Sequence, residues 1–331
     1  MPSALKAYSE VKRTGKVYTP EDLVEAVLDS VGYVAGSQLL APSTRILDPA
    51  CGDGQFLIGI VRRILAFLPP STWERALHNI EGWDIDKNAL HACKERLDAE
   101  VAPHGLSIAW RLRHCDSLMA YCNLLEPIPL YDLVVGNPPY IRIQHLPDSY
   151  KRFLQENFSF CQKGSTDIYL AFFELGISLL SSQGKLAFIT PNSWLYTTAA
   201  RPFREALRRQ RLLERVIDYD TSLPFEGIGA YVSITVLSKE PHHTWRYERR
   251  SHPPVTLHLP VQTYPAEVQC PPSRAKRSVP LGQIAHIGVG ITTLADKVFI
   301  LQGDPSLPLN KPIVRLQTSV GETVEIESAL L

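Results

Sequence analysis

Short apolar runs alternate with amphipathic stretches from about residue 44 onward, and this alternation constrains the fold more than any other feature of the chain. The apolar runs predict strands over residues 44–49, 79–85, 106–113, 131–136, 185–190 and 212–218. The stretches between them predict helices over residues 54–67, 87–100, 166–182 and 199–210. Residues 230–238 are β-branched and alternating, which predicts an antiparallel edge strand and brings the sheet to seven strands. We therefore expect an α/β fold with a doubly wound, mostly parallel sheet.

The two ends of the chain depart from this central pattern. Thr19 predicts a helix cap, with Pro20 at the first helical position of a helix that runs to about residue 33. Residues 241–280 hold eight of the 26 prolines and predict a linker, and short β-like runs indicate a second unit over residues 281–331. The expected organisation is thus a main domain over residues 1–240, a linker and a smaller unit.

A glycine-containing loop lies between the first predicted strand of the sheet and the helix that follows it. Its sequence is Asp48-Pro49-Ala50-Cys51-Gly52-Asp53-Gly54-Gln55-Phe56-Leu57. Two glycines allow a tight strand-to-helix turn and a close approach of the backbone to a ligand. The loop lacks both the G-x-G-x-x-G spacing and the Walker lysine, so it is a weak candidate for gripping phosphate. A purely structural turn of an α/β fold would also explain it.

Acidic side chains follow the next two predicted strands. Asp84 ends the second strand, where a carboxylate can accept hydrogen bonds from both hydroxyls of a ribose, and Asp86 is better placed to cap the next helix. Asp116, followed by Ser117, comes after the third strand, where it can accept from an adenine amino group. Each acid alone is also typical of a helix cap or a solvated charge. Because the carboxyl ends of parallel strands share one edge, their order along the chain favours a nucleoside site.

The tetrapeptide Asn137-Pro138-Pro139-Tyr140 follows the buried run that predicts the fourth strand. Proline fixes φ and donates no hydrogen bond, so the two prolines form a stiff turn with outward carbonyls. The motif therefore presents an amide oxygen, a rigid carbonyl and a ring at one sheet edge. This set suits a planar amine, which needs two acceptors for its N–H groups and a ring to stack on. A proline-rich loop without a ligand is the alternative interpretation.

Composition narrows the possible classes of protein. Lys and Arg number 34, and so do Asp and Glu, so bulk charge does not indicate a nucleic-acid partner. The six cysteines form neither a C-x-x-C pair nor a zinc-like cluster, which favours free thiols in a reducing cytoplasm and no metal site. No apolar stretch is long enough to cross a bilayer, so we expect a cytoplasmic protein without a membrane partner. Basic residues in two regions are candidates for phosphate contacts, namely Arg201, Arg204, Arg208, Arg209, Arg211, Arg215, Arg246, Arg249, Arg250, Arg274, Lys276 and Arg277.

The order of these segments resembles the gamma class of S-adenosyl-L-methionine-dependent adenine-N6 DNA methyltransferases of restriction–modification systems. The resemblance covers about residues 10–240 and implies a Rossmann-like methyltransferase fold. It implies that the cofactor contacts are made by Tyr18, Thr19, Asp48, Pro49, Ala50, Cys51, Gly52, Gly54, Phe56, Asp84, Ile85, Asp116, Ser117 and Asn137. It implies that Asn137, Pro138, Pro139 and Tyr140 are catalytic. Tyr140 and Phe225 would stack on the target base.

The same resemblance implies a substrate and partners. Double-stranded DNA would be the substrate, with the target adenine flipped out of the helix because its amino group cannot be reached inside a duplex. Residues 281–331 resemble the opening of a target-recognition domain, which in this family is longer. A truncated recognition region, or a partner chain that supplies recognition or nuclease activity, is therefore expected.

Two alternatives remain from the sequence. A protein glutamine-N5 methyltransferase uses the same Asn-Pro-Pro-Tyr motif, because a glutamine amide is also a planar amine. The Thr-Pro segment before the glycine loop, Phe225 and the tail after residue 280 favour DNA instead. A DNA-binding subunit without catalytic activity is the other alternative, and the intact motif and glycine turns argue against it.

Overall fold

The computed structural model describes residues 19–123, 129–162, 166–219, 231–249, 252–258, 313–317 and 323–327. Its α-helices are α1 (Glu21–Ser30), α2 (Gln55–Phe67), α3 (Trp73–His78), α4 (Lys87–Val101), α5 (Ser117–Asn123), α6 (Asp148–Asn157), α7 (Tyr169–Leu179) and α8 (Arg201–Gln210). Its strands are β1 (Ile46–Asp48), β2 (Ile80–Asp84), β3 (Arg111–His114), β4 (Tyr131–Gly136), β5 (Leu180–Pro191), β6 (Leu213–Asp218), β7 (Val232–Ser238), β8 (Thr244–Arg249), β9 (His252–His258), β10 (Ile313–Gln317) and β11 (Thr323–Glu327). Short 3-10 turns occur at Pro70–Thr72, Ala102–His104, Ile143–His145, Ser159–Cys161 and Asn192–Leu195.

Nine strands form one sheet in the order β3-β2-β1-β4-β5-β7-β6-β8-β9. Strands β1 to β5 run parallel to one another, and β7 is antiparallel to both β5 and β6. Strand β8 pairs in parallel with β6, and β9 closes the sheet in antiparallel fashion. The predicted doubly wound, mostly parallel α/β fold is confirmed. The carboxyl ends of β1 to β5 therefore share one edge of the sheet.

Two apolar cores cover the two faces of the sheet. Helices α1 to α4 bury their apolar residues on one face, and α5 to α8 bury theirs on the other. Strand β4 shows the alternation, because Val134 belongs to the second core whereas Leu133 and Val135 belong to the first. Both faces are covered, so the central strands are apolar on both sides, as parallel sheets require.

The structure corrects three details of the predicted pattern. Residues 230–238 contain an antiparallel strand, but it lies between β5 and β6 and not at an edge. The helix predicted from residue 166 begins at Tyr169, and Asp167 pairs with Arg142 in an isolated antiparallel β-bridge. Thr19 does not cap α1. The reason in each case is a partner distant in sequence, which the local pattern does not reveal.

The sheet is also wider than expected. The predicted linker over residues 241–280 includes β8 and β9, which bring the sheet from seven strands to nine. Trp245 and Tyr247 of β8 are buried in the core beside α7 and α8. The beginning of this proline-rich range therefore continues the sheet.

The chain divides into two compact units, Met1–Pro271 and Pro272–Leu331. In the second unit, β10 and β11 pair in antiparallel fashion. Within the described residues, no helix is long and apolar enough to cross a membrane. The same residues contain no group of three or more His, Cys, Asp or Glu side chains able to hold a metal ion.

Candidate functional site

A cleft of about 720 Å³ lies at the carboxyl ends of β1 to β4. Its size is suitable for a nucleoside-sized ligand, since such pockets generally span about 300–1,000 Å³. The cleft is lined by Pro49, Ala50, Gly52, Asp53, Asp84, Ile85, Ala89, Cys115, Asp116, Ser117, Asn137, Pro139, Ile141, Leu146, Pro147, Ser149, Tyr150, Ile168 and Phe172. The glycine loop, both acids and the Asn-Pro-Pro-Tyr motif thus meet at one place.

The glycine loop turns tightly because both of its glycines have positive φ. Gly52 has a φ of 54°, and the space that a Cβ would occupy there is open. Gly54 has a φ of 91° at the start of α2, and a Cβ there would lie 2.5 Å from Sγ of Cys93. Gly54 is therefore required by packing against α4, whereas Gly52 leaves its backbone accessible to a ligand.

Asp84 joins the glycine loop to the end of β2. Its Oδ2 accepts the Gly52 N–H at 2.8 Å, and its Oδ1 accepts the Asp86 N–H at 2.8 Å. A carboxylate oxygen has two lone pairs, so each oxygen can accept a further bond from a ligand hydroxyl. Asp86 caps α4 by accepting the Asn88 N–H at 2.9 Å, as the sequence predicts.

Asp116 caps α5 and also contacts a residue that the sequence did not single out. Its Oδ1 accepts the N–H groups of Leu118 and Met119, each at 3.0 Å. The Tyr150 hydroxyl donates to Oδ2 at 2.7 Å. Burial and the nearby Asp116 carboxylate raise the pKa of Tyr150 well above its usual value, so the hydroxyl remains a donor.

Ser117 connects two neighbouring loops of the cleft. Its buried hydroxyl donates to the Pro49 carbonyl at 2.6 Å. The loops after β1 and β3 are therefore tied to each other as well as to β2. This arrangement fixes the floor of the cleft before any ligand is present.

Asn137 and Tyr140 lie just beyond the end of β4. The Asn137 Nδ2 group donates to Oγ1 of Thr19 at 3.0 Å. Its Oδ1 is buried and has no hydrogen-bond partner among the described residues. The Tyr140 hydroxyl donates to the Ile189 carbonyl of β5 at 3.0 Å, which fixes the ring, and burial raises its pKa well above the usual value.

Asp48 is buried behind the cleft, at the end of β1. It is 1% exposed, and its Oδ1 accepts the Ala50 N–H at 3.0 Å. Burial raises the pKa of Asp48 to about 8, the Ala50 N–H opposes this rise, and the Asp84 carboxylate adds to it. A Cβ on Gly136 would lie 2.7 Å from Asp48 Oδ1, so glycine is needed there for β1 and β4 to end side by side.

The predicted site residues fall into three groups. Those that line the cleft are Pro49, Ala50, Gly52, Asp84, Ile85, Asp116, Ser117, Asn137 and Pro139. Those that lie behind it or beside it are Thr19, Asp48, Cys51, Gly54, Phe56, Pro138 and Tyr140. Phe56 is 3% exposed and belongs to the core beside α1 and α4, so its side chain supports the loop from within. Tyr18 and Phe225 lie outside the described residues.

One wall of the cleft was missed by sequence reasoning. It consists of the segment after the Asn-Pro-Pro-Tyr motif, with Ile141, Leu146, Pro147, Ser149 and Tyr150. The segment is held by two backbone bonds, Ile143 N–H to Thr166 O and Ile168 N–H to Ile141 O, both at 2.9 Å. Helix α6 follows it, and Pro147 before acidic Asp148 was the available signal for that helix start.

A second groove, about 880 Å³ in volume, lies beside α8 and carries Arg208, Arg209 and Arg211. Because α8 leads into the amino end of β6, these arginines lie at the opposite edge of the sheet from the cleft. Other members of the predicted basic cluster are engaged within the protein: Arg201 pairs with Glu205, and Arg215 pairs with Glu248. The members of the cluster that lie within the described residues therefore do not form one continuous surface beside the cleft.

The sheet order and the position of the cleft define the fold of class I S-adenosylmethionine-dependent methyltransferases. The structure of such a methyltransferase from Listeria monocytogenes has a TM-score of 0.51 at 21% identity, over 71% of this chain and 66% of that one. The DrdV–DNA complex has a TM-score of 0.56 at 18% identity, over 72% of this chain and 28% of the other.

Sequence comparison shows which proteins this chain is similar to in sequence. Residues 128–225 match the Eco57I restriction-modification methylase family. The chain is 28% identical over 252 residues to the Type II methyltransferase M.PaeR7I of Pseudomonas aeruginosa, which is 72% of this chain and 42% of that protein. The resemblance to restriction–modification methyltransferases is thus confirmed, and the chain spans less than half the length of this relative.

The cofactor implied by this fold is S-adenosyl-L-methionine, and the cleft fits it. Asp84 offers lone pairs for ribose hydroxyls, and Asp116 Oδ2 can accept from an adenine amino group. Ile85 is 66% exposed although apolar, and it lines the cleft beside Asp84, where an adenine ring would cover it. The open backbone at Gly52 allows the ligand to approach the loop closely.

Proposed function

We propose that the protein is an adenine-N6 DNA methyltransferase that acts in a restriction–modification system. The observation that carries this proposal is the buried Oδ1 of Asn137, which has no hydrogen-bond partner among the described residues. An unsatisfied buried acceptor costs about 1–3 kcal/mol, so it calls for an explanation in function. A donor on the substrate would satisfy it, and an amino group is such a donor.

The motif residues would bind and orient the target amine. When bound, S-adenosyl-L-methionine supplies an electrophilic methyl group on a sulfonium sulfur. Asn137 Oδ1 and the Pro138 carbonyl would accept the two N–H bonds of the adenine amino group. These bonds favour a more tetrahedral nitrogen, whose lone pair is otherwise delocalised into the ring. The rate enhancement would come from orientation and preorganised dipoles, without a strong general base.

Double-stranded DNA is the proposed substrate, and the adenine must leave the helix to reach the motif. Base flipping costs a few kcal/mol. Stacking on Tyr140 and Phe225 would offset this by about 1–3 kcal/mol for each base–aromatic contact. The bond from the Tyr140 hydroxyl to Ile189 supports this role, because it holds the ring in place before a base arrives.

We also propose that residues 1–240, together with β8 and β9 of the same sheet, form the catalytic domain and that residues 281–331 belong to a target-recognition region, which would act with a partner of recognition or nuclease function. The confirmed resemblance of the preceding residues to restriction–modification methyltransferases supports this assignment. Removing residues 272–331 should weaken DNA binding while cofactor affinity changes by less than about twofold, as measured by calorimetry.

The proposal is tested by transfer of a radioactive methyl group from S-adenosyl-L-methionine to mixed-sequence duplex DNA. Asn137→Ala serves as the inactive control, and a protein substrate with an exposed Gly-Gly-Gln loop is assayed in parallel. We expect label only in DNA, recovered as N6-methyladenine and lost in the variant.

Each other result would count against the proposal. Label in cytosine would place the enzyme among DNA methyltransferases of a different specificity. Label in the glutamine substrate alone would assign a protein methyltransferase. Cofactor binding without transfer to either substrate would favour a subunit that lacks catalytic activity.

A further inference from the structure

Thr19 makes its hydrogen bond to a residue of the candidate site, far away in the chain. It is 3% exposed and lies just before α1, and its Oγ1 accepts from Nδ2 of Asn137 at 3.0 Å. The two residues are 118 positions apart. A threonine before a helix usually caps it, but no side-chain cap is formed at α1. The hydroxyl is instead directed to the Asn137 amide.

Helix α1, which carries Thr19, is fixed against the rest of the domain. The Arg63 side chain on α2 is 7% exposed and forms ion pairs with Glu25 and with Asp29, the latter at 2.8 Å. It also donates to the Tyr33 carbonyl at 2.6 Å, just beyond α1. A buried, multiply bonded arginine of this kind holds a helix in one place, so Thr19 is presented to Asn137 from a rigid support.

The bond matters because an asparagine amide has two chemically different ends. With Nδ2 held by Thr19, Oδ1 is left as an acceptor. Rotation of the Asn137 amide by half a turn would exchange Oδ1 and Nδ2. The Nδ2 donor would then face the N–H donor of the substrate amine. The hydroxyl of threonine holds the plane of the amide, and the substrate amine then selects the orientation with Oδ1 towards it.

We propose that Thr19 is a positioning residue that orients Asn137 for the target amine. The inference rests on the proposed function, since it assigns Asn137 Oδ1 to the target amine. It differs from the role that the family resemblance implies for Thr19, which is a contact near the methionine end of the cofactor. The two roles make opposite predictions about binding and turnover.

The test compares Thr19→Val, which keeps the shape and removes the acceptor, with Thr19→Ser, which keeps the acceptor. Thr72→Val is the matched control, because the Thr72 hydroxyl lies away from the cleft and donates to the nearby Pro69 carbonyl at 2.8 Å. For Thr19→Val we expect kcat to fall by about 10- to 100-fold while the Kd for S-adenosyl-L-methionine changes by less than about threefold. Thr19→Ser should retain kcat to within about threefold of the unmodified chain.

A second measurement does not depend on activity. The side-chain amide resonances of Asn137 can be observed in ¹⁵N-asparagine-labelled protein and assigned by their absence in Asn137→Ala. In Thr19→Val we expect these resonances to shift and their protons to exchange faster with water, and in Thr19→Ser and Thr72→Val we expect no change. The folded state is checked by the dispersion of the remaining asparagine signals.

The outcomes separate this inference from the proposed function. A rise of about tenfold or more in cofactor Kd with kcat retained in Thr19→Val would overturn the inference in favour of a cofactor contact. Unchanged Asn137 resonances in Thr19→Val would also overturn it. If the unmodified chain methylates no DNA but the Asn137 resonances respond to Thr19→Val, the proposed function fails while the positioning contact stands.

Discussion

The two halves of the cleft differ in how their polar groups are partnered. In the cofactor half, which comprises Gly52, Asp84, Asp116 and Ser117, each acid accepts backbone N–H groups and each loop is tied to its neighbour. In the target half, which comprises Asn137 to Tyr140, the Asn137 amide is held at Nδ2, whereas its Oδ1 has no partner among the described residues. One half is complete before a ligand binds, and the other keeps an acceptor for the substrate.

This difference shows how one sheet edge can serve two ligands. Hydrogen bonds already made within the protein fix a binding surface at no further cost in ordering when the ligand arrives. An acceptor without a hydrogen-bond partner destabilises the free protein. It also strengthens the interactions made when the reacting group is in place. Under the proposed function, the cofactor half would contribute mainly to affinity and the target half mainly to turnover.

The largest effect should come from removing the acceptor of the target half. Asn137→Ala deletes Oδ1, and we expect methyl transfer to fall by about 10²- to 10³-fold, as for other preorganised donors and acceptors at reacting groups. Cofactor affinity, measured by calorimetry, should change by less than about threefold. Equal losses of turnover and of cofactor affinity would remove the distinction between the halves.

The reverse pattern is expected in the cofactor half. Asp84→Ala removes the acceptor of the Gly52 N–H, so the glycine loop loses its link to β2. The Kd for S-adenosyl-L-methionine should rise by about 10- to 100-fold, because the Gly52 N–H and two ribose hydroxyls would lose their acceptor. Turnover at saturating cofactor should fall much less. Glu95→Ala, on the exposed face of α4, is the control and should leave both quantities unchanged.

Asp48 lies between the halves and should make stability depend on pH. Because its pKa of about 8 in the folded protein exceeds the usual aspartate value of 3.8, the proton-bound form is favoured by folding. This contribution is complete below about pH 4 and is lost as the pH rises through about 8. Asp48→Asn cannot ionise but can still accept the Ala50 N–H. The Tm of the variant minus that of the parent should therefore increase by a few degrees between about pH 5 and about pH 8.

The smallest effect is expected at Tyr150. Tyr150→Phe keeps the ring in the wall of the cleft and removes the donor to Asp116 Oδ2. We expect a rise of about two- to fivefold in cofactor Kd, since one hydrogen bond to a charged acceptor that stays partnered is lost. Tyr121→Phe on α5 removes a hydroxyl from the neighbouring helix and serves as the control. A rise in Kd as large as that for Asp84→Ala would show that the position of the Asp116 carboxylate depends more on the bond from Tyr150 of α6 than on its bonds to the N–H groups of α5.

The sequence predicted those parts of the site that depend on local order along the chain. The loops after β1, β2, β3 and β4 line one edge because parallel strands end together, and the Asp86 cap follows from its place before α4. It was harder to predict whether the side chain of a motif residue faces the cleft or the core. Phe56 belongs to the glycine-loop motif, yet its side chain packs into the core, because the turn at Gly54 directs it there.

Contacts between distant residues could not be predicted from local patterns. The bond between Thr19 and Asn137 and the bond between Tyr150 and Asp116 each join different elements. Strand β9 was hidden by Pro253 and Pro254, because a strand at the edge of a sheet tolerates residues that lack an N–H, and β8 lies in the same proline-rich range. In each case the two partners lie in different elements of the fold, so a local sequence pattern contains only one of them.

The tie between Ser117 and Pro49 has a consequence for the timing of the catalytic cycle. Together with the Asp84 bond to Gly52, it links the ends of three strands, so we expect these ends to open together as one unit. Under the proposed function, the spent cofactor would leave and a fresh one would enter without these loops unfolding. We expect the backbone amides at the ends of β1, β2 and β3 to share a single, slow rate of hydrogen exchange, and occupancy by the cofactor to slow that rate without dividing the unit.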